Sequence, residues 1–180
     1  MKLFFLSILF IISTNSFCQS DNNDYFLFEK ANAYLEAMYS NDKEYLPTEE
    51  DKIAVKNSTD ITEYSSSKAY DSFYQLVTKY PESDFVNEAF FRLASIESDN
   101  KNYEESKNYY QKIISNEKSN DYYKRNVFIN LALIAVIEKD CSKASSYLKE
   151  METLKPKRYL CGNEYEDDQN RIKFIKEKCK

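Results

Sequence analysis

The sequence predicts an all-α protein built from antiparallel helical hairpins. Three observations carry that prediction. The 180 residues contain one glycine, Gly162, and three prolines, so hairpin turns and bulges of β-structure have almost none of their usual residues. Apolar residues recur at i, i+3, i+4 and i+7 through most of the chain. Short polar runs, such as Asp99-Asn100-Lys101-Asn102 and Lys139-Asp140, separate those periodic stretches. With 42% hydrophobic and 31% charged residues the composition is that of globular material.

The first eighteen residues read as an export signal. Met1-Lys2 gives a positive start, Leu3 to Ile12 is an apolar run, and Ser16 and Cys18 stand at the −3 and −1 positions before Gln19. The run is short for a membrane span. Cleavage after residue 18 is one outcome; lipidation of Cys18 is the other, and only this one would bring the chain to a membrane. Asn15 and Phe17 stand where a lipoprotein signal has leucine and a small residue, whereas the polar stretch Gln19 to Asp24 suits a tether. Either way the protein is expected outside the cytoplasm, as a periplasmic, secreted or outer-membrane-anchored chain.

Residues 19–59 combine a helix over 24–40, on Tyr25, Phe28, Ala31, Leu35 and Met38, with an irregular linker that has a short turn of helix after Thr48. Asp60 and Glu63 form a capping box for the next helix, whose face carries Ile61, Tyr64, Ala69, Phe73, Leu76, Val77 and Tyr80 and which Pro81 ends. A helix over 84–98 carries Phe85, Ala89, Phe90, Leu93 and Ala94; its partner carries Tyr103, Ser106, Tyr110, Ile113 and Ile114. The unit recurs as helices over 122–138 and 141–154, the second closed by Pro156. Residues 157–180 turn at Gly162, are capped by Asn163 and Glu166, and form a last helix with Tyr165, Ile172, Ile175 and Cys179 on one face.

Two of these units share a pattern. Phe90-x-x-Leu93-Ala94 is followed by Tyr103-x-x-Ser106-x-x-x-Tyr110-x-x-Ile113, and Phe128-x-x-Leu131-Ala132 by Cys141-x-x-Ala144-x-x-x-Leu148-x-x-Met151. Half of it stands earlier as Ala69-x-x-x-Phe73-x-x-Leu76 with Pro81. The stretch 60–156 resembles the tetratricopeptide repeat, including its forms in envelope proteins of Gram-negative bacteria. Leu93 to Leu131 spans 38 residues, a little longer than the usual period of about 34. Ser106 replaces the family's alanine and Cys141 its aromatic. Residues 24–40 are the candidate for the missing first helix. The resemblance implies a short α-solenoid in which no hairpin covers its own apolar face, with the last helix as a cap. It also implies a groove for a protein or peptide partner, lined by the first helix of each hairpin: Glu88, Phe91, Ser95, Asn126, Ile129, Leu133 and Val136. The opposing expectation is that residues 163–179 or 24–58 cover these side chains.

The chemistry is narrowed by what is missing. Without histidine, Ser-His and Cys-His nucleophiles and histidine metal ligands are excluded. One glycine excludes phosphate-binding loops and dinucleotide fingerprints. A net charge of −5 argues against nucleic acid. Glu164, Glu166, Asp167 and Asp168 read as a solvated first turn favoured by the helix dipole rather than as catalytic acids. The expectation is a non-enzymatic binding scaffold with no cofactor and no metal; a lipid-anchored structural subunit of an outer-membrane assembly complex is the alternative.

Beyond the signal three cysteines remain. Cys161 and Cys179 flank one helix and would lie roughly 25 Å apart. Cys141 opens the preceding helix, and an antiparallel cap would return Cys179 to it. A Cys141–Cys179 disulfide with Cys161 free is therefore expected, against the alternative of three unpaired thiols.

Overall fold

The computed structural model describes residues 23–58, 60–155 and 162–180, and every regular element among them is helical. The stretch expected to be an export signal, with Cys18, and Cys161 lie outside the described residues. The elements are α1 (Asn23–Ser40), a 3-10 turn (Lys43–Tyr45), α2 (Glu49–Ser58), α3 (Ile61–Lys79), α4 (Val86–Asp99), α5 (Tyr103–Ser115), α6 (Asp121–Ile137), α7 (Cys141–Thr153) and α8 (Gly162–Lys178). The chain divides into two compact units after Phe85. The division falls inside the 60–156 stretch that the sequence pattern groups together.

In the first unit α1 packs along α3. Phe28 meets Phe73 edge to face, with ring centroids 6.2 Å apart, and stacks on Phe85 at 4.5 Å. Asp24 accepts a hydrogen bond from Ser83 Oγ at 2.7 Å. The start of α1 therefore lies beside the end of α3, and the two form an antiparallel pair whose connection carries α2. Local periodicity shows neither this pairing nor the length of α2, a full helix where one turn was expected. Thr48 explains it. Its Oγ1 accepts the backbone N–H of Asp51 at 3.1 Å, satisfying a donor of the first helical turn.

In the second unit α4 pairs with α5 and α6 with α7; α6 also touches α4, α5 and α8, and α7 touches α8. Small residues set these contacts. Ala94, Ala132, Ala144 and Ser106 are fully buried, and Ser106 Oγ donates to the Ala94 carbonyl at 2.8 Å across the hairpin. Tyr110, Leu93, Ile113 and Leu131 fill the space beside them. Each such burial contributes about 1.5–3 kcal/mol. Arg125 of α6 donates to the Met151 carbonyl at 2.9 Å and so satisfies an end of α7.

A chain with one glycine still needs left-handed residues to stop its helices. Asn41, Lys101 and Lys139 supply them, at φ of 52°, 64° and 62°. After α4 the Asn102 N–H bonds the Glu97 carbonyl at 2.8 Å and the Lys101 N–H that of Ser98 at 2.9 Å. After α6 the Asp140 N–H bonds Ala135 and the Lys139 N–H bonds Val136 in the same way. A β-carbon in this region costs about 1–2 kcal/mol, part of which glycine returns in unfolded-state entropy. Lys101→Gly and Lys139→Gly should therefore each raise stability by about 0.5–1 kcal/mol, read as a higher urea midpoint at unchanged slope. Gly162 itself opens α8. Asn163 is already helical, so the expected Asn163–Glu166 capping box is not where the chain starts this helix.

Candidate functional site

The first turns of α4 and α6 enclose a pocket of about 300 Å³, lined by Glu88, Phe91 and Arg92 from α4 and Tyr122, Tyr123 and Asn126 from α6. Spacings of three and four residues put each trio on one helix face. Glu88 organises the polar side. Its Oε1 accepts from Arg92 Nη2 at 2.9 Å and its Oε2 from the Tyr123 hydroxyl at 3.2 Å. Burial, then the charge and hydrogen bond of Glu88, push the Tyr123 hydroxyl up to about 12. Tyr123 thus keeps its proton at neutral pH and acts as a donor rather than a base. Arg92 Nε is enclosed without a hydrogen-bond partner. Phe91 closes the apolar side and meets Tyr110 edge on at 5.8 Å.

Three residues of the expected groove, Glu88, Phe91 and Asn126, therefore share one pocket. Ser95 sits a turn further on, half-buried, and donates to the Phe91 carbonyl at 3.0 Å. Leu133 and Val136 are half-buried on α6. Ile129 differs. It is 1% exposed and belongs to the core, so it cannot line a groove. A helix wheel places Ile129 beside Leu133 and Val136, but α6 is packed against α4, α5, α7 and α8, and Ile129 falls on the covered part of its surface. Arg92, Tyr122 and Tyr123 were missed as lining residues. The signal was present: Arg92 is four residues from Glu88, and Tyr122 and Tyr123 are four and three from Asn126.

On its other side α6 is bordered by α8. The Arg171 guanidinium donates to Asn130 Oδ1, and Asn130 Nδ2 donates to the Tyr110 hydroxyl at 2.8 Å, so α8, α6 and α5 are joined by one polar chain. Burial holds Arg171 below its ordinary range. Tyr122 donates to Glu164 at 3.1 Å, and Cys141 and Cys179 form a disulfide with Cα atoms 5.1 Å apart. The partners run in order, Tyr122, Asn130 and then Cys141 just beyond α6 against Glu164, Arg171 and Cys179, so α8 follows the direction of α6. Of the four acids expected in the first turn of α8, only Glu164 lies there; the others fall in the second turn and are not uniformly solvated. Asp168 is buried, 3.9 Å from Arg171, while Glu166 and Asp167 are exposed.

The first unit holds a second polar centre that the sequence pattern hid in a linker. Asp51 is 7% exposed and accepts three hydrogen bonds: from Tyr34 at 2.9 Å, Thr48 at 2.6 Å and Tyr64 at 2.6 Å. Burial alone would raise the Asp51 carboxyl; the hydrogen bonds of Thr48, Tyr64 and Tyr34 outweigh it and hold the group below its usual value. Burial and the same carboxylate push Tyr64 up to about 12, and Tyr34 rises for the same reasons. The arrangement ties α2 to α1 and α3. Thr48-x-x-Asp51 is a capping pattern and was its one legible sign.

No protein-family model, curated protein or solved structure matches the chain. Among the described residues no group of three or more Cys, Asp or Glu is placed to hold a metal ion, and no helix is long and apolar enough to cross a membrane.

Proposed function

We propose that the protein is a non-enzymatic scaffold of the bacterial cell envelope, a short tetratricopeptide-like α-solenoid that binds a segment of a partner protein on the α4–α6 face. The observation that carries this reading is the pocket of Glu88, Phe91, Arg92, Tyr122, Tyr123 and Asn126, continued along α6 by half-exposed Leu133 and Val136. A charged pair, hydroxyl and amide donors and an aromatic wall suit a peptide, whose backbone is polar and whose side chains are largely not. The paired helices α4–α5 and α6–α7, with α8 beside them, support the solenoid. The signal-like first eighteen residues support export, and a disulfide accords with an oxidising compartment.

Leu133→Asp with Val136→Asp tests the reading. Capture of the partner from the envelope of the producing cell should fall at least tenfold, with the helical circular dichroism and unfolding temperature retained. Unfolding of the double variant would make both residues core, and undiminished capture would move the binding face elsewhere.

A further inference from the structure

Helix α8 is attached to its unit by little apolar surface. Among its described side chains only Asp168 and Ile175 are buried, while Tyr165 and Phe174 remain exposed. Its neighbour α7, shorter by four residues, buries Ala144, Leu148 and Met151. On α8, Ile172 is half-buried, and Glu164 accepts from Tyr122 at 3.1 Å near the exposed surface. Arg171 reaches Asn130, but both it and Asp168 had to leave water to dock, and a buried ion pair gains little over its own desolvation. Lys176 and Glu152 pair at 3.6 Å on the exposed surface, where such a contact contributes almost nothing. A helix in a protein draws most of its stability from tertiary packing rather than from its own propensity. Against that weak packing stands one covalent bond. Cys179 joins Cys141 at the start of α7, and both cysteines are half-exposed, within reach of a thiol in solution.

We propose that α8 is a reducible cap, docked while the Cys141–Cys179 disulfide is intact and released when a dithiol reductant opens it. A thiolate of the reductant attacks one sulfur of the pair and forms a mixed disulfide. Its second thiol then closes the reductant's own disulfide. The Cys141–Cys179 S–S bond is broken, two electrons pass to those sulfurs, and each takes up one proton. Release uncovers the flank of α6 along Tyr122 and Asn130, next to the half-exposed Leu133 and Val136. The inference rests on how α8 is packed and holds whether or not a peptide binds on that face.

Amide hydrogen exchange read by mass spectrometry on the full chain tests it, comparing the oxidised protein, the protein with dithiothreitol, and Cys141→Ser/Cys179→Ser. Exchange over residues 162–178 should accelerate at least about 100-fold in the reduced protein and in the variant, with residues 86–153 as protected as before. The variant, which keeps Cys161, should not respond to dithiothreitol. Unchanged protection of 162–178 after reduction would overturn the proposal. So would loss of protection over 86–178 as one block, or a variant that still responds to the reductant.

Discussion

Asp51→Ala is expected to lower stability by about 3 kcal/mol, because a buried donor without its acceptor costs about 1–3 kcal/mol and hydrogen bonds to a charged group contribute more than neutral ones. Three donors converge on this carboxylate, and Tyr34 is almost wholly buried. Asp51→Asn should cost less, since an amide oxygen still accepts. The effect also has a pH signature. The folded state holds the carboxyl below its unfolded value, so its stabilisation is present above about pH 4 and is lost as pH falls through the folded-state value. Urea unfolding at pH 7 and pH 3, followed by far-ultraviolet circular dichroism, should show the gap between wild type and Asp51→Asn narrowing on acidification. An equal gap at both would mean that the charge of Asp51 contributes nothing.

Ala94→Leu should be comparably damaging, by about 3 kcal/mol, although it adds apolar surface at an apolar position. Ala94 is 0% exposed, and its carbonyl is bonded across the hairpin by Ser106. Three further carbons have no space between backbones held that closely, and overpacking of this kind typically costs 1–3 kcal/mol or more. Ser106→Ala, which removes the hydrogen bond and keeps the close approach, should cost only about 1 kcal/mol. Their order in urea midpoint is the diagnostic: if Ala94→Leu is the milder change, close backbone approach does not hold this hairpin together.

These two sites mark what the sequence discloses. Ala94 was readable because small residues recur in register: Ala132 follows it at 38 residues, and both are fully buried. Periodicity of that kind reports which face of a helix is covered. It does not report by what. Ile129 therefore looked like a groove residue, and α1 could not be assigned to α3 across a connection that itself contains a helix. Asp51 sat among acids that read as linker, and only the fold brings Tyr34 and Tyr64 to it. The helix stops were hidden for another reason: the left-handed positions at Lys101 and Lys139 carry residues whose side chains give no sign of that backbone. Of the candidate site, α4 and α6 were legible as the elements and Glu88, Phe91 and Asn126 as members. The Glu88–Arg92–Tyr123 arrangement required the two helices side by side.

The claim on which the functional reading depends is that the α4–α6 face meets a protein partner. Site-specific photo-crosslinking in the producing cell measures this directly, with a benzophenone side chain placed at Leu133, at Val136, or at exposed Lys149 on α7 as control. The account predicts one discrete protein adduct from positions 133 and 136 and none from 149. Adducts of equal yield from all three positions, or none from 133 and 136 in a folded protein, would contradict it.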